Sequence, residues 1–139
     1  MIFVDRSVPK SVAAALMAVR NDVMWLEPRF PHNAKDTDWL PVAGAEGWLV
    51  VTRDKHIRHR PGELRSLIAH GVGCFIFVQK PDLTKWEYLK LLCLRLDEME
   101  RLFADVPRPF IYGIARDGQL RRIYPPPAAP SPPAPVTRT

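Results

Sequence analysis

The sequence predicts an α/β fold, a three-layer sandwich with a mostly parallel central sheet that ends in an antiparallel hairpin. Three observations support this prediction. Short apolar runs alternate along the chain with longer segments of helical periodicity. Two of the runs, Trp48–Thr52 and Gly73–Val78, are apolar without interruption, which is typical of strands covered on both faces. An Asp-Gly turn signal separates Phe110–Ala115 from Gln119–Tyr124, as in a hairpin.

The N-terminal segment has a strand–helix–strand pattern. Met1–Asp5 is a short apolar strand, and Ser7 is placed to cap a helix over Val8–Arg20 whose apolar residues recur at three-to-four spacing. Asp22–Leu26 is the second strand. Glu27–Lys35 contains two prolines, and we therefore expect a loop there.

The middle of the chain adds two helices around the third strand. Asp36 or Asp38 is placed to cap a helix over Trp39–Glu46, which Gly47 ends. The second helix covers Pro61–His70. Because each helix links two apolar runs through short connections, the strands are expected to be parallel.

A long helix precedes the hairpin. Thr84 and Glu87 have the spacing of a capping box at the start of a helix over Lys85–Ala104. Its apolar stripe predicts a core face, with a dimer or a partner protein as the alternative use of so wide a surface. The stripe consists of Leu89, Leu92, Leu96, Met99 and Phe103.

Composition sets the class of protein. The chain has 139 residues with 47% hydrophobic and 25% charged, an ordinary balance for one globular domain. Two cysteines are too few for a disulfide scaffold, and both lie in apolar runs, so we expect buried reduced thiols in a cytoplasmic protein. We expect no secretory signal and no membrane span. Residues 1–124 are predicted to fold, and the proline-rich residues 125–139 to form a disordered tail.

Acidic residues follow two strands and begin one helix. Asp5 ends the first strand, Asp54 follows the third, and Asp36 and Asp38 begin the helix between them. Carboxyl ends of parallel strands share one edge of a sheet, so three chain segments bring carboxylates together there. Clustered carboxylates repel unless a cation neutralises them, and an all-oxygen ligand set suits Mg²⁺ or Mn²⁺. The alternative is that each Asp is only a cap or turn residue.

Basic residues adjoin this acidic edge. The run RDKHIRHR begins directly after the third strand and supplies four cations, and a lysine follows the fourth strand. Cations beside a metal-binding edge are placed to hold nucleic-acid phosphates, although most charge runs are simply solvated loops. The candidate phosphate-binding residues are Arg53, Lys55, Arg58, Arg60 and Lys80.

The segments IFVDRSVPKSVAAAL, KDTDWLPVAGAEG and WLVVTRDK, in this order, resemble the PIN-like domain family. The later segments GVGCFIFVQK and PFIYGIARDGQLRRI resemble its branch related to VapC-type toxin ribonucleases, so the likeness covers about residues 1–124. The resemblance implies a Mg²⁺- or Mn²⁺-dependent endoribonuclease, the toxin of a type II toxin–antitoxin system, with RNA as substrate and a cognate antitoxin and a homodimer as partners.

The resemblance also assigns the acids. Family positions fall on Asp5, on Asp36 with Asp38 as the near alternative, and on Asp54. Many relatives have a further acid where this chain has His56, so Glu63 or water would complete the ligand set.

Two other functions remain compatible with the residues. The missing acid supports a PIN-like scaffold that binds RNA or protein without cutting. A phosphate-accepting receiver domain would use Asp54 as the acceptor and Lys80 as the strand-end lysine, but it usually pairs two acids where this chain has Asp5 alone.

Overall fold

The structure is a computed structural model that describes residues 1–26, 30, 34–54, 56–79 and 82–127. It contains one six-stranded sheet in the order β2-β1-β3-β4-β5-β6, parallel except for the antiparallel pair β5–β6. The strands are β1 (Ile2–Val4), β2 (Val23–Trp25), β3 (Leu49–Thr52), β4 (Gly73–Phe77), β5 (Phe110–Ile114) and β6 (Leu120–Tyr124). The helices described are α1 (Lys10–Val19), α2 (Asp36–Glu46), α3 (His56–His59), α4 (Pro61–Ala69) and α5 (Lys85–Asp105). The predicted fold class is confirmed.

The strands alternate their side chains between two apolar cores, one on each face of the sheet. In β3, Val51 belongs to the core beneath α1 and α5, whereas its neighbour Val50 belongs to the core beneath α2 and α4. Strands β3 and β4 are buried along their whole length, as their uninterrupted apolar runs predicted. The sheet is therefore the middle layer of three, with an apolar core and helices on each face.

Helix α2 and the end of α4 approach each other so closely that their backbones are in contact. Gly44 in α2 lies against the backbone carbonyl of His70, just after α4, and a Cβ on Gly44 would collide with that carbonyl. Only glycine permits this approach. The spacing between α2 and α4 is therefore set by backbone contact rather than by adaptable side chains.

Several expected local features are confirmed. Thr84 Oγ1 accepts a hydrogen bond from the backbone N–H of Glu87, and the Glu87 carboxylate accepts one from the backbone N–H of Thr84. Gly47 ends α2 in the left-handed conformation, with φ of 68°. Gly118 turns the β5–β6 hairpin with φ of 87°.

Other local expectations are wrong. Ser7 does not cap α1, which begins at Lys10 after Pro9, because the Ser7 hydroxyl is bonded to Asp5 instead. Cys74 is buried, but Cys93 is exposed on the outer side of α5. The basic run after β3 includes the short helix α3, which we did not predict.

The remaining expectations concern the tail and the membrane. Pro125, Pro126 and Pro127 lie outside helices and strands, and residues 128–139 lie outside the described residues, so a disordered tail stays a prediction. Within the described ranges, no helix combines the length and apolar character needed to cross a membrane.

Candidate metal centre

Three carboxylates from three different elements converge at the sheet edge. Asp36 is the first residue of α2, Asp54 follows β3 by two residues, and Glu63 lies in the first turn of α4. One carboxylate oxygen from each lies within 4.8 Å of the others. We call these three residues the acidic cluster. Glu63, one of two expected sources of a further ligand, is thus brought beside two of the predicted acids.

Asp5 lies behind the acidic cluster, held by two hydroxyl groups. It is only 3% exposed at the end of β1. Its Oδ2 accepts hydrogen bonds from Ser7 Oγ at 2.7 Å and Thr52 Oγ1 at 2.9 Å. The Ser7 and Thr52 hydroxyls in turn accept the backbone N–H groups of Arg53 and Asp54, both at 3.0 Å. This network joins the ends of β1 and β3 and fixes the backbone from which the Asp54 side chain extends.

The surroundings of Asp36 raise the pKa of its carboxyl group strongly. Burial first, and then the negative charges of Asp5, Asp54 and Glu63 and a hydrogen bond with Asp54, together raise the pKa of Asp36 to about 8. At neutral pH the Asp36 carboxyl therefore keeps its proton, unless a cation compensates the crowded negative charge.

Two cluster oxygens are available for a ligand. Trp39 Nε1 donates a hydrogen bond to Asp36 Oδ1 at 3.1 Å and so fixes the orientation of that carboxylate. Asp36 Oδ2 and Glu63 Oε2 are buried, and neither has a hydrogen-bond partner within the described part of the chain. Buried oxygens without partners are costly in a folded protein. A hard divalent cation bound by Asp36, Asp54 and Glu63 would satisfy them, so the residues present fit such an ion.

Asp38 lies outside the acidic cluster. It is exposed, and its carboxylate accepts the backbone N–H of Lys35 at 2.8 Å, which closes the first turn of α2. The cap itself is Lys35, not Asp36 or Asp38 as expected. Of the two alternatives considered for the helix start, the structure therefore places Asp36 at the site and gives Asp38 a capping contact.

Cations surround the acidic cluster in a cleft of about 500 Å³. Arg6 and Lys35, which sequence reasoning missed, contribute two of them, and each directly adjoins a site acid in the chain. Their position next to Asp5 and Asp36 in the sequence could have identified them as candidate phosphate-binding residues. The lining residues are Arg6, Lys35, Asp36, Thr37, Asp54, Arg60, Gly62 and Glu63.

Of the five predicted phosphate-binding residues, Arg60 lies at the cleft, where its guanidinium is 3.5 Å from Glu63 Oε1. Arg53 instead pairs with Asp82 at 3.2 Å and contacts the hydroxyl of Tyr88, on the α5 side of the sheet. Lys55, Lys80 and the side chain of Arg58 lie outside the described residues.

Comparison with known proteins identifies a family. A family model described as a PIN like domain matches residues 1–79, more than half of the chain. The matched segment contains Asp5 and all three residues of the acidic cluster. No curated protein matches, and no solved structure matches.

Proposed function

The chain belongs to the PIN-like domain family, a nuclease-type fold, and from that premise we propose that it is a divalent-metal-dependent endoribonuclease. The observation that carries the proposal is the acidic cluster, in which three carboxylates from α2, the end of β3 and α4 place oxygens within 4.8 Å of one another. Two of these carboxylates each have a buried oxygen without a hydrogen-bond partner in the described chain.

In phosphodiester hydrolysis the divalent ion and the acidic residues would have different roles. Mg²⁺ or Mn²⁺ supplies Lewis-acid polarisation of a phosphoryl oxygen and makes water more acidic. Asp36, Asp54 and Glu63 are the residues that would hold the ion. Asp5 adds negative charge behind them, as its effect on the pKa of Asp36 shows.

The cations of the cleft bind the substrate backbone. Arg6, Lys35 and Arg60 line the same cleft as the acidic cluster, so phosphates flanking the scissile bond can contact positive charge on either side. Positive charge also offsets the repulsion between the polyanion and the carboxylates. These contacts go to the backbone, so they position RNA without reading its sequence.

The likeness of the central and C-terminal motifs to VapC-type toxin ribonucleases supports a more specific role. We propose that the enzyme is the toxin of a type II toxin–antitoxin pair and acts in the cytoplasm, restrained by a protein antitoxin. Induced expression should then arrest growth, and Asp54→Asn should relieve the arrest at equal protein level. Equal toxicity of the two forms would contradict the toxin role while leaving cleavage itself to be judged in vitro.

The decisive experiment measures cleavage of a labelled single-stranded RNA with Mg²⁺ or Mn²⁺, and again with a chelator. We expect cleavage only with metal, and a loss of at least about a hundredfold for Asp36→Asn and Glu63→Gln, since each removes a ligand charge. Glu46→Gln is the matched control, because Glu46 is exposed at the far end of α2. Activity in the chelator, or equal activity of all three variants, would overturn the assignment.

His56 at the position of a further family acid favours one competing function, an RNA-binding scaffold without catalysis. Calorimetry separates the two. A scaffold binds RNA but no Mn²⁺, whereas the nuclease binds Mn²⁺ and loses that binding on Glu63→Gln.

A further inference from the structure

The outer side of α5 carries an exposed apolar groove that the nuclease function does not use. Trp86 is 64% exposed and Leu94 is 67% exposed, although both are large apolar residues. Together with Leu89, Lys90 and Cys93 they line a shallow cleft of about 430 Å³, which we call the α5 groove. Lys90 Nζ lies 5.8 Å from the centre of the Trp86 ring, a cation–π contact that orients the ring. Covering the exposed apolar surface is favourable, so a segment that binds there gains free energy.

The proline-rich segment beyond β6 has the repeat of a polyproline II helix. Such a helix has three residues per turn, so residues three positions apart lie along one edge of it. Pro127, Pro130, Pro133 and Val136 recur at this spacing, and in that conformation they would form a continuous apolar ridge. The other two edges would be interrupted by Ala or Ser. Polyproline segments bind in grooves lined by aromatic side chains, and the α5 groove with Trp86 is a surface of that kind.

The segment is long enough to reach the groove. Tyr124 pairs with Ile111 near the start of β5, and α5 ends at Asp105 shortly before β5, so the chain leaves β6 at the edge of the sheet where α5 ends. As polyproline II helix, residues 128–139 would extend about 37 Å. The 21 residues of α5 extend about 32 Å. The segment can therefore run along α5 as far as Trp86 in its first turn.

The charges along this path are complementary. Residues 125–137 contain no charged side chain, so Lys90 repels nothing in the ridge, and the cation Arg138 follows the ridge. Asp82 lies just before α5 and Glu87 lies in its first turn, with side chains 64% and 38% exposed. An arginine just beyond the ridge therefore meets opposite charge at the far end of the groove.

We propose that residues 127–136 bind the α5 groove of their own chain, with the ridge against Trp86 and Leu94. Because the segment is tethered, its effective concentration at the groove is on the order of 1 mM, so a weak intrinsic affinity is enough to keep the groove occupied. A disordered tail was expected because the segment has no apolar surface of its own to fold around. The α5 groove supplies that surface. The inference goes beyond the nuclease function and does not depend on it.

Cys93 reports whether the groove is occupied, because it is exposed and lines the groove whereas Cys74 is buried. A bound ridge should slow the modification of Cys93 by iodoacetamide about fivefold, measured by intact mass.

Two paired variants of the full chain test the ridge. Pro130→Ala with Pro133→Ala removes two ridge prolines and should give the fast rate. Pro132→Ala with Pro135→Ala is the matched control, because it makes the same change on another edge and should keep most of the protection. Equal rates in the wild type and the ridge variant would overturn the proposal. Equal acceleration in the two variants would overturn the assignment of the ridge.

Protein concentration distinguishes the chain's own segment from another molecule. Protection of Cys93 should be the same from about 1 μM to about 0.1 mM, because tethered binding does not depend on concentration. Protection that grows with concentration would show that a second copy covers the groove and would overturn the proposal. In NMR spectra of the wild type, Trp86 ring protons should show nuclear Overhauser effects to ridge prolines that the ridge variant lacks. Their absence in the wild type would likewise contradict the contact.

Discussion

Thr52 donates a 2.9 Å hydrogen bond to Asp5 across the β1–β3 pair, and both residues are buried. The same hydroxyl accepts the backbone N–H of Asp54 at 3.0 Å. The Thr52 hydroxyl therefore connects the Asp5 carboxylate to the backbone of Asp54, a member of the acidic cluster.

Replacing Thr52 by Val keeps the shape of the side chain and removes this connection. We expect the free energy of unfolding to fall by about 2 kcal/mol, because a buried carboxylate loses a hydrogen-bond donor. Mn²⁺ affinity should also fall, since the Asp54 backbone is no longer fixed. Urea denaturation and calorimetry measure the two effects. Thr52→Ser, which retains the hydroxyl, should keep most of the affinity; equal losses in both variants would contradict the role of the hydrogen bond.

The raised pKa of Asp36 predicts a pH dependence of stability in the metal-free protein. The ordinary pKa of an aspartate, 3.8, applies to Asp36 in the unfolded chain, whereas its pKa in the folded protein is about 8. Between these values the folded chain binds a proton that the unfolded chain has released, so stability attributable to Asp36 falls as pH rises and levels off above about 8.

Asp36→Asn should remove that dependence, because asparagine stays neutral and can still donate to Asp54. The measurement is thermal unfolding in chelator from pH 5 to pH 9, taking the difference between wild type and variant. The variant should gain relative stability toward high pH. A difference that is constant across this range would show that Asp36 does not carry the proton.

The close approach of α2 and α4 predicts strong sensitivity at Gly44. Gly44→Ala places a Cβ against the carbonyl of His70, so the helices must separate, at a cost of about 2 kcal/mol or more. Gly62→Ala is the control, because a Cβ there has nothing within 4 Å and helix propensity favours alanine. Urea denaturation of both variants checks the contrast. Similar stabilities would show that the helices tolerate the shift.

Arg6 is expected to contact a phosphate of bound RNA. Arg6→Ala in an inactive Asp36→Asn background should weaken RNA binding for all sequences alike and lower the slope of log affinity against log salt by about one. Fluorescence anisotropy at several salt concentrations measures both quantities. Arg121→Ala, on the exposed strand β6, removes the same charge away from the cleft and should leave the slope unchanged.

The fold was predictable because its signals are local. The uninterrupted apolar runs of β3 and β4, the capping box at Thr84 and the Asp-Gly hairpin each depend on a few adjacent residues. Asp36 and Asp54 were placed at one edge by the general rule for parallel strands, and the structure brings them together. The choice between Asp36 and Asp38 was not predictable, because it depends on which carboxylate closes the helix turn and which bonds to Trp39.

The parts that sequence reasoning missed depend on tertiary contacts. Ser7 has the spacing of a helix cap, but Asp5 and Arg53 compete for its hydroxyl. Arg53 belongs to a basic run beside the site, yet Asp82 and Tyr88 hold it on the other side of the sheet. Cys93 lies in an apolar segment, but helical rotation turns it outward while Leu92 points to the core.

The acidic cluster also has a thermodynamic consequence. Its three members come from α2, the end of β3 and α4, and they are adjacent only while these elements are packed together. A cation bound by all three has no equivalent site in the unfolded chain. At a free concentration a hundredfold above its dissociation constant it would stabilise the native state by about 2.7 kcal/mol. The bound ion would then hold α2, β3 and α4 together reversibly, and the ambient metal concentration would set both the proposed nuclease activity and the lifetime of the protein under proteolysis.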